Sequence, residues 1–234
     1  MRGVALVPAY FDPTGSGLDD WNELVDAAQR IAIIAIANPN SGPGQAPDET
    51  YRETIRRASL AGIRVTGYVS TDYGNRPTAQ IYEDIDRWIT FYPEIAGIFF
   101  DEQTAGDEGV PFYDQVFSYA RDQINDALVI GNPGVIPSEE YISEAGADIE
   151  CVFESDRGFG DFEPADWMAD YPPERFCALL LDVPSANAMR DFLLKALNDD
   201  IGNVYITDDR LPNPWDRLPS YWDREVEILT ETRD

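Results

Sequence analysis

The chain has no histidine, one lysine (Lys195) and two cysteines in 234 residues. Without histidine there is no His-ligated zinc and no Ser-His or Cys-His nucleophile arrangement. Cys151 and Cys177 each lie inside an apolar strand-like run and read as buried free thiols, with a bond between them left open by sequence alone. Positive charge is scarce: 17 Lys and Arg stand against 44 Asp and Glu, a net charge of −27. No basic stripe exists to neutralise phosphates, which argues against nucleic-acid binding and against an anionic membrane surface. No apolar run approaches the roughly 20 residues of a membrane span. No Gly-rich phosphate loop follows any strand-like run, and no recognisable Ca²⁺ or Mg²⁺ loop is present, so no cofactor and no metal are expected.

What the chain does have is acid, spread along its whole length rather than gathered in a tail. Such a surface repels itself at low ionic strength, whereas at ~1 M salt the Debye length falls to about 3 Å. The reading is a halophilic protein, with an ordinary acidic enzyme as the alternative. The first strand-like run begins at Val4, leaving no room for a signal peptide. The chain is therefore expected to be cytoplasmic as it stands, or secreted if it is a mature or trimmed form.

Continuous apolar runs recur at 4–10, 31–38, 63–69, 95–101, 128–132, 149–154, 176–182 and 204–207, as parallel strands buried on both faces should. Between them, helical spacing puts Leu18, Trp21, Leu24, Val25 and Ala28 on one face. Ile81, Ile85, Trp88, Ile89 and Tyr92 form another such face, and Met189, Phe192, Leu193, Ala196 and Leu197 a third. Eight alternations without a linker predict an α/β fold, a single (β/α)8 TIM barrel over residues 1–234; a doubly wound open sheet is the alternative.

A barrel of this kind carries its chemistry at the C-terminal ends of its strands. There the sequence places Tyr10, Asn38, Asn40, Tyr68, Tyr73, the pair Asp101-Glu102, Asn132 and Glu154, with Asp208, Asp209 and Trp215 after the last strand. Carboxylates for acid/base chemistry, amides for hydroxyls and aromatic faces for pyranose rings are the inventory of a sugar site. In Gly97-Ile98-Phe99-Phe100-Asp101-Glu102 two like charges end a buried strand, so one of them is expected to titrate high. Adjacent strand residues point to opposite faces, so one must reach over the rim.

These segments resemble the spherulin-4-like (spherulation-specific) family of (β/α)8 glycoside hydrolases. The resemblance is carried, in order, by Val7-Pro8-Ala9-Tyr10, Asn38-Pro39-Asn40-Ser41-Gly42-Pro43-Gly44, Gly67-Tyr68-Val69, Tyr73-Gly74, Gly97 to Glu102, Asn132-Pro133-Gly134, Phe153-Glu154 and Asn213-Pro214-Trp215. It implies an endo-acting glycosidase on an exopolysaccharide containing galactosamine or N-acetylgalactosamine, with Asp101, Glu102 and Glu154 as catalytic carboxylates. One departure stands out: a histidine is expected after Gly-Tyr-Val in many relatives, and this chain has Ser70. Relatives are also commonly secreted.

Each assignment has a plainer alternative. Asp101 and Glu102 could cap a helix or lie solvated on the rim, and Glu154 could form a structural salt bridge. Glu102 is read as the proton donor, with Asp101 tuning or orienting the site; retaining, inverting and substrate-assisted routes stay open. Tyr10, Asn38, Asn40, Tyr68, Tyr73, Asn132 and Trp215 are read as substrate-binding residues, against turn chemistry for the amides and packing for the rings. Asp208 and Asp209 are read as solvated surface. The partner is a polysaccharide or oligosaccharide, and the oligomeric state is open. The competing class is a non-catalytic carbohydrate-binding or surface-interaction protein on the same scaffold.

Overall fold

The structure, a computed structural model, describes residues 3–231; residues 1, 2 and 232–234, which the single-domain expectation included, lie outside it. Among the described residues, eight parallel strands close into a barrel in chain order. They are β1 (Val4–Ala9), β2 (Ala32–Ala37), β3 (Arg64–Ser70), β4 (Gly97–Asp101), β5 (Leu128–Gly131), β6 (Ile149–Ser155), β7 (Phe176–Leu180) and β8 (Asn203–Ile206). Every expected strand is present, with bounds shifted by up to two residues. The barrel closes where Val4 and Ala5 of β1 pair with Asn203 and Val204 of β8.

The outer layer consists of α1 (Gly15–Ala27), α2 (Glu49–Leu60), α3 (Thr78–Phe91), α4 (Val110–Gln123), the single-turn α5 (Glu140–Ser143), α6 (Ala186–Asn198) and α7 (Trp222–Glu231). The expected helical faces are largely the buried ones: Trp21 and Leu24; Ile81, Ile85, Trp88 and Tyr92; Met189, Leu193, Ala196 and Leu197. Between β6 and β7 there is no α-helix but a run of short 3₁₀ turns at Phe159–Asp161, Asp166–Asp170 and Pro173–Arg175. Gly158, Gly160, Pro164, Pro172 and Pro173 interrupt this segment, and each disfavours a continuous helix. The two ends of the described chain meet beneath the barrel, where a Cβ on Gly3 would fall 2.6 Å from the Leu229 side chain.

Close sheet–helix packing explains one glycine. A Cβ on Gly67 of β3 would lie 2.4 Å from the indole of Trp88 on α3. That ring cannot swing away without losing the bond its Nε1 donates to the Tyr68 carbonyl, 2.9 Å. Gly67→Ala is therefore expected to destabilise the fold by about 1–3 kcal/mol, the usual cost of overpacking. A thermal melt should show a loss of roughly 2–12 °C. An unchanged midpoint would mean that the helix layer yields more than this packing implies.

Candidate active site at the C-terminal mouth

The register across β4, β5 and β6 sorts the polar residues by face. Phe100, Gly131 and Glu150 stand side by side. Phe100 packs on Phe117 of α4, ring centroids 4.9 Å apart, so this row faces the helices. Asp101 and Asn132 come next along their chains and face the other way, into the barrel mouth. By the same alternation Glu154, four residues after Glu150, would face the helices. It does not, because β6 carries a bulge: Cys151 pairs with Cys177, and Phe153, not Val152, pairs with Ala178. One extra residue reverses the parity. Phe153 then joins Phe159 in the outer layer, centroids 4.9 Å apart, while Glu154 turns inward to Asn132.

Inside the mouth, Asn132 joins two carboxylates. Its Nδ2 donates to Asp101 Oδ1 at 2.7 Å and to Glu154 Oε2 at 2.6 Å. Those oxygens are therefore no further apart than the two bonds end to end, about 5.3 Å. The Tyr68 hydroxyl donates to Asp101 Oδ2 at 2.8 Å, and Tyr10 packs edge-on against Tyr68, centroids 5.7 Å apart. Burial pushes the Glu154 carboxyl up to about 7; the charge of Asp101 adds to this and the Asn132 bond opposes it. Burial also raises Asp101, against bonds from Tyr68, the Glu102 backbone amide and Asn132. The expected high-titrating member of the Asp101-Glu102 pair is thus Asp101, but for a different reason: Glu102's charge contributes less than burial does.

Glu102 reaches the same cleft by backbone conformation. It sits just past β4 with φ +55°, in the left-handed region, which turns the chain so that a second carboxylate faces the mouth. Ser70 Oγ donates to Glu102 Oε2 at 2.5 Å. The residue standing where a histidine was expected therefore holds a site carboxylate.

Two adjoining cavities of about 510 and 480 Å³ share Asp101, Glu154, Leu181 and Leu211. The first is also lined by Tyr10, Asn38, Asn40 and Trp215, the second by Tyr73, Glu102, Asn132, Val135 and Asp156. Together they form one groove across the mouth with the carboxylates at its middle. No lysine, arginine or histidine lines either cavity. A larger cavity, about 660 Å³, opens at the opposite end among strand starts such as Val4, Ala32, Arg64 and Asn203. It holds none of the site residues, and that end of a barrel serves stability rather than chemistry.

All ten expected site residues line this groove or bond directly to its carboxylates, but their engagements differ. Asn38 Oδ1 accepts the Gly42 backbone amide at 2.8 Å, the turn chemistry set against its binding role. Trp215 is 6% exposed and packs on Tyr205, which leaves little face for stacking. Tyr73 is 58% exposed at the rim. Asp208 and Asp209 are not the solvated surface expected: both pair with Arg217, at 2.9 and 3.3 Å, and Asp208 also accepts from Ser220. Sequence reasoning missed Asp156, Leu181, Val135 and Leu211; only the rim position of their loops could have marked them. Among the described residues no group of His, Cys, Asp or Glu is arranged to hold a metal ion, and no helix is long and apolar enough to cross a membrane.

Comparison with known proteins agrees with the family and the fold. The model of the spherulation-specific family 4 (Spherulin4) matches residues 4–229. Spherulin-4 of Physarum polycephalum is 35% identical over 140 residues, 59% of this chain, and the match spans 41% of that protein's length. The crystal structure of Aspergillus clavatus Sph3 in complex with GalNAc superposes with a TM-score of 0.82 at 26% identity, covering 98% of each chain. A chitinase from Rhizomucor miehei shares the fold, with a TM-score of 0.58 at 11% identity.

Proposed function

The chain belongs to the spherulation-specific family 4, and from that premise we propose that it is a glycoside hydrolase. Its proposed substrate is a polysaccharide containing galactosamine or N-acetylgalactosamine, cut within the chain. The observation that carries the reading is the Asp101–Asn132–Glu154 bridge: two buried carboxylates held at close range by one amide in the middle of an open groove. Binding alone has no need of such a pair. The GalNAc complex of Sph3, similar over nearly the whole chain, supports the sugar class.

Roles follow from environment. Three donors hold Asp101 in its charged form, whereas Glu154 has only the Asn132 bond against its burial. Glu154 near pH 7 is thus the proton donor to the leaving oxygen, and Asp101 the ionised partner. This reverses the expectation that Glu102 donates; Glu102, held by Ser70, instead lines one arm of the groove. Nearest oxygens within about 5.3 Å suit the roughly 5–5.5 Å of retaining enzymes, not the 6.5–9.5 Å that accommodates a water in inverting ones. Asp101 then either attacks the anomeric carbon or orients the substrate's own acetamide to do so. Asn132, with its amide engaged by both acids, positions them. A groove that continues on both sides of the pair lets a polymer lie across it.

The test is release of reducing ends from an N-acetylgalactosamine-containing polymer, with product lengths followed over time. A spread of internal fragments at early times supports the reading. Tight binding of the polymer without any release would favour the carbohydrate-binding alternative.

A further inference from the structure

Behind the wall that carries Asn132, in the layer between sheet and helices, lies a carboxyl group that the chemistry above does not use. Glu150 is fully buried, and its Oε2 accepts a bond from Gln103 Nε2 at 2.9 Å. The other two oxygens of this pair, Glu150 Oε1 and Gln103 Oε1, are shielded from solvent and have no partner among the described residues. Both crowd one point: a Cβ on Gly131 would fall 2.0 Å from Gln103 Oε1 and 2.6 Å from Glu150 Oε1. Two unpaired acceptors held within about 4.6 Å of each other and away from solvent repel, and each is costly to leave unbonded. A single proton converts that repulsion into a hydrogen bond.

We infer that Glu150 is a neutral carboxylic acid whose Oε1–H donates to Gln103 Oε1, closing a two-bond ring that anchors Asn132 from behind. The link to Asn132 is direct: the Gln103 backbone amide donates to the Asn132 carbonyl at 3.0 Å. The charged and titratable groups facing Glu150 are Arg175, before β7, and the phenols of Tyr113 on α4 and Tyr141 on α5. The Arg175 guanidinium is committed to the carbonyls of Ala147 and Asp148. Burial accordingly holds the Glu150 carboxyl up at about 8, against the Gln103 bond and the Arg175 charge. The folded state keeps a proton that the unfolded chain releases near 4.5. This contribution to stability is therefore full below about pH 4.5 and is lost as pH rises through about 8. The consequence for catalysis rests on the hydrolase reading; the ring itself does not.

Three measurements on the full chain test this. In the infrared difference between wild type and Glu150→Gln at pH 6, a protonated-carboxyl carbonyl band should belong to wild type; a carboxylate band in its place overturns the assignment. In melts from pH 5 to 9, Glu150→Gln keeps the ring with two amides, so its midpoint should gain on wild type up to about pH 8 and then run parallel; curves parallel throughout overturn it. Finally, Gln103→Leu loosens Asn132, so the Glu154 titration, read by carboxyl-carbon NMR, should move upward while Glu150→Gln leaves it in place. An unmoved Glu154 in Gln103→Leu would leave the ring standing and overturn the anchoring. If hydrolysis is established, Gln103→Leu should lose kcat by about tenfold or more with KM little changed, since small misplacements of reacting groups cost this much.

Discussion

Glu154→Gln and Asp101→Asn each lower kcat for hydrolysis of an N-acetylgalactosamine-containing polymer by about 10²-fold or more, since acid–base assistance alone contributes 10²–10⁴-fold. Both are near-isosteric, and Asn132 can still donate to the remaining oxygen of either amide, so the melts should stay close to wild type. The pH profile divides their roles. Wild-type activity should fall above about pH 7 as the Glu154 proton is lost. It should fall at low pH as Asp101 protonates, at a pH above the usual aspartate value because burial raises that group. Glu154→Gln should abolish the alkaline limb. Glu102→Gln discriminates between donors: a smaller loss with the limb intact supports Glu154. A loss as large as that of Glu154→Gln, with the limb gone, returns the role to Glu102.

Dilution from molar to millimolar salt should lower the melting temperature by roughly 10 °C or more, a few kcal/mol for a domain of this size. The cause is the net charge of −27 on one barrel. The ion pairs that do form are mostly short-range, such as Arg52 with Glu49 and Arg56 with Glu53 on α2, and leave the excess acid unmatched. At ~0.01 M salt the Debye length is about 30 Å, so charges on opposite sides of the barrel feel one another; at ~1 M it is about 3 Å and they do not. A midpoint that stays flat or rises on dilution would remove the halophilic reading.

The barrel was legible because buried parallel strands write themselves as continuous apolar runs, and runs such as 31–38 and 95–101 need no long-range information. The rim inventory followed from strand ends alone. What the sequence could not display is parity. Glu150 and Glu154 are four apart on one strand, and only the bulge at Val152 sends one to the helices and the other to the mouth. Nor could it show that Asn132 binds two acids at once, because the three come from neighbouring strands β4, β5 and β6, or that Asp208 and Asp209 hold Arg217, because that pairing depends on how the connection between β8 and α7 folds back on itself. The break in the helix layer after β6 is written in Pro164, Pro172 and Pro173, which a count of strand–helix alternations does not register.

The meeting of Gly3 with Leu229 beneath the barrel sets how the molecule can be mounted. The groove opens at the C-terminal ends of the strands, so both attachment points lie on the face turned away from it. A tether at either end would present the same open mouth outward. A bead, a fusion partner or a cell surface held there would leave room for a polymer to approach. A short link from Gly3 to the last turn of α7, with the chain opened at an outer loop, should preserve the barrel, since it spans a contact that already exists.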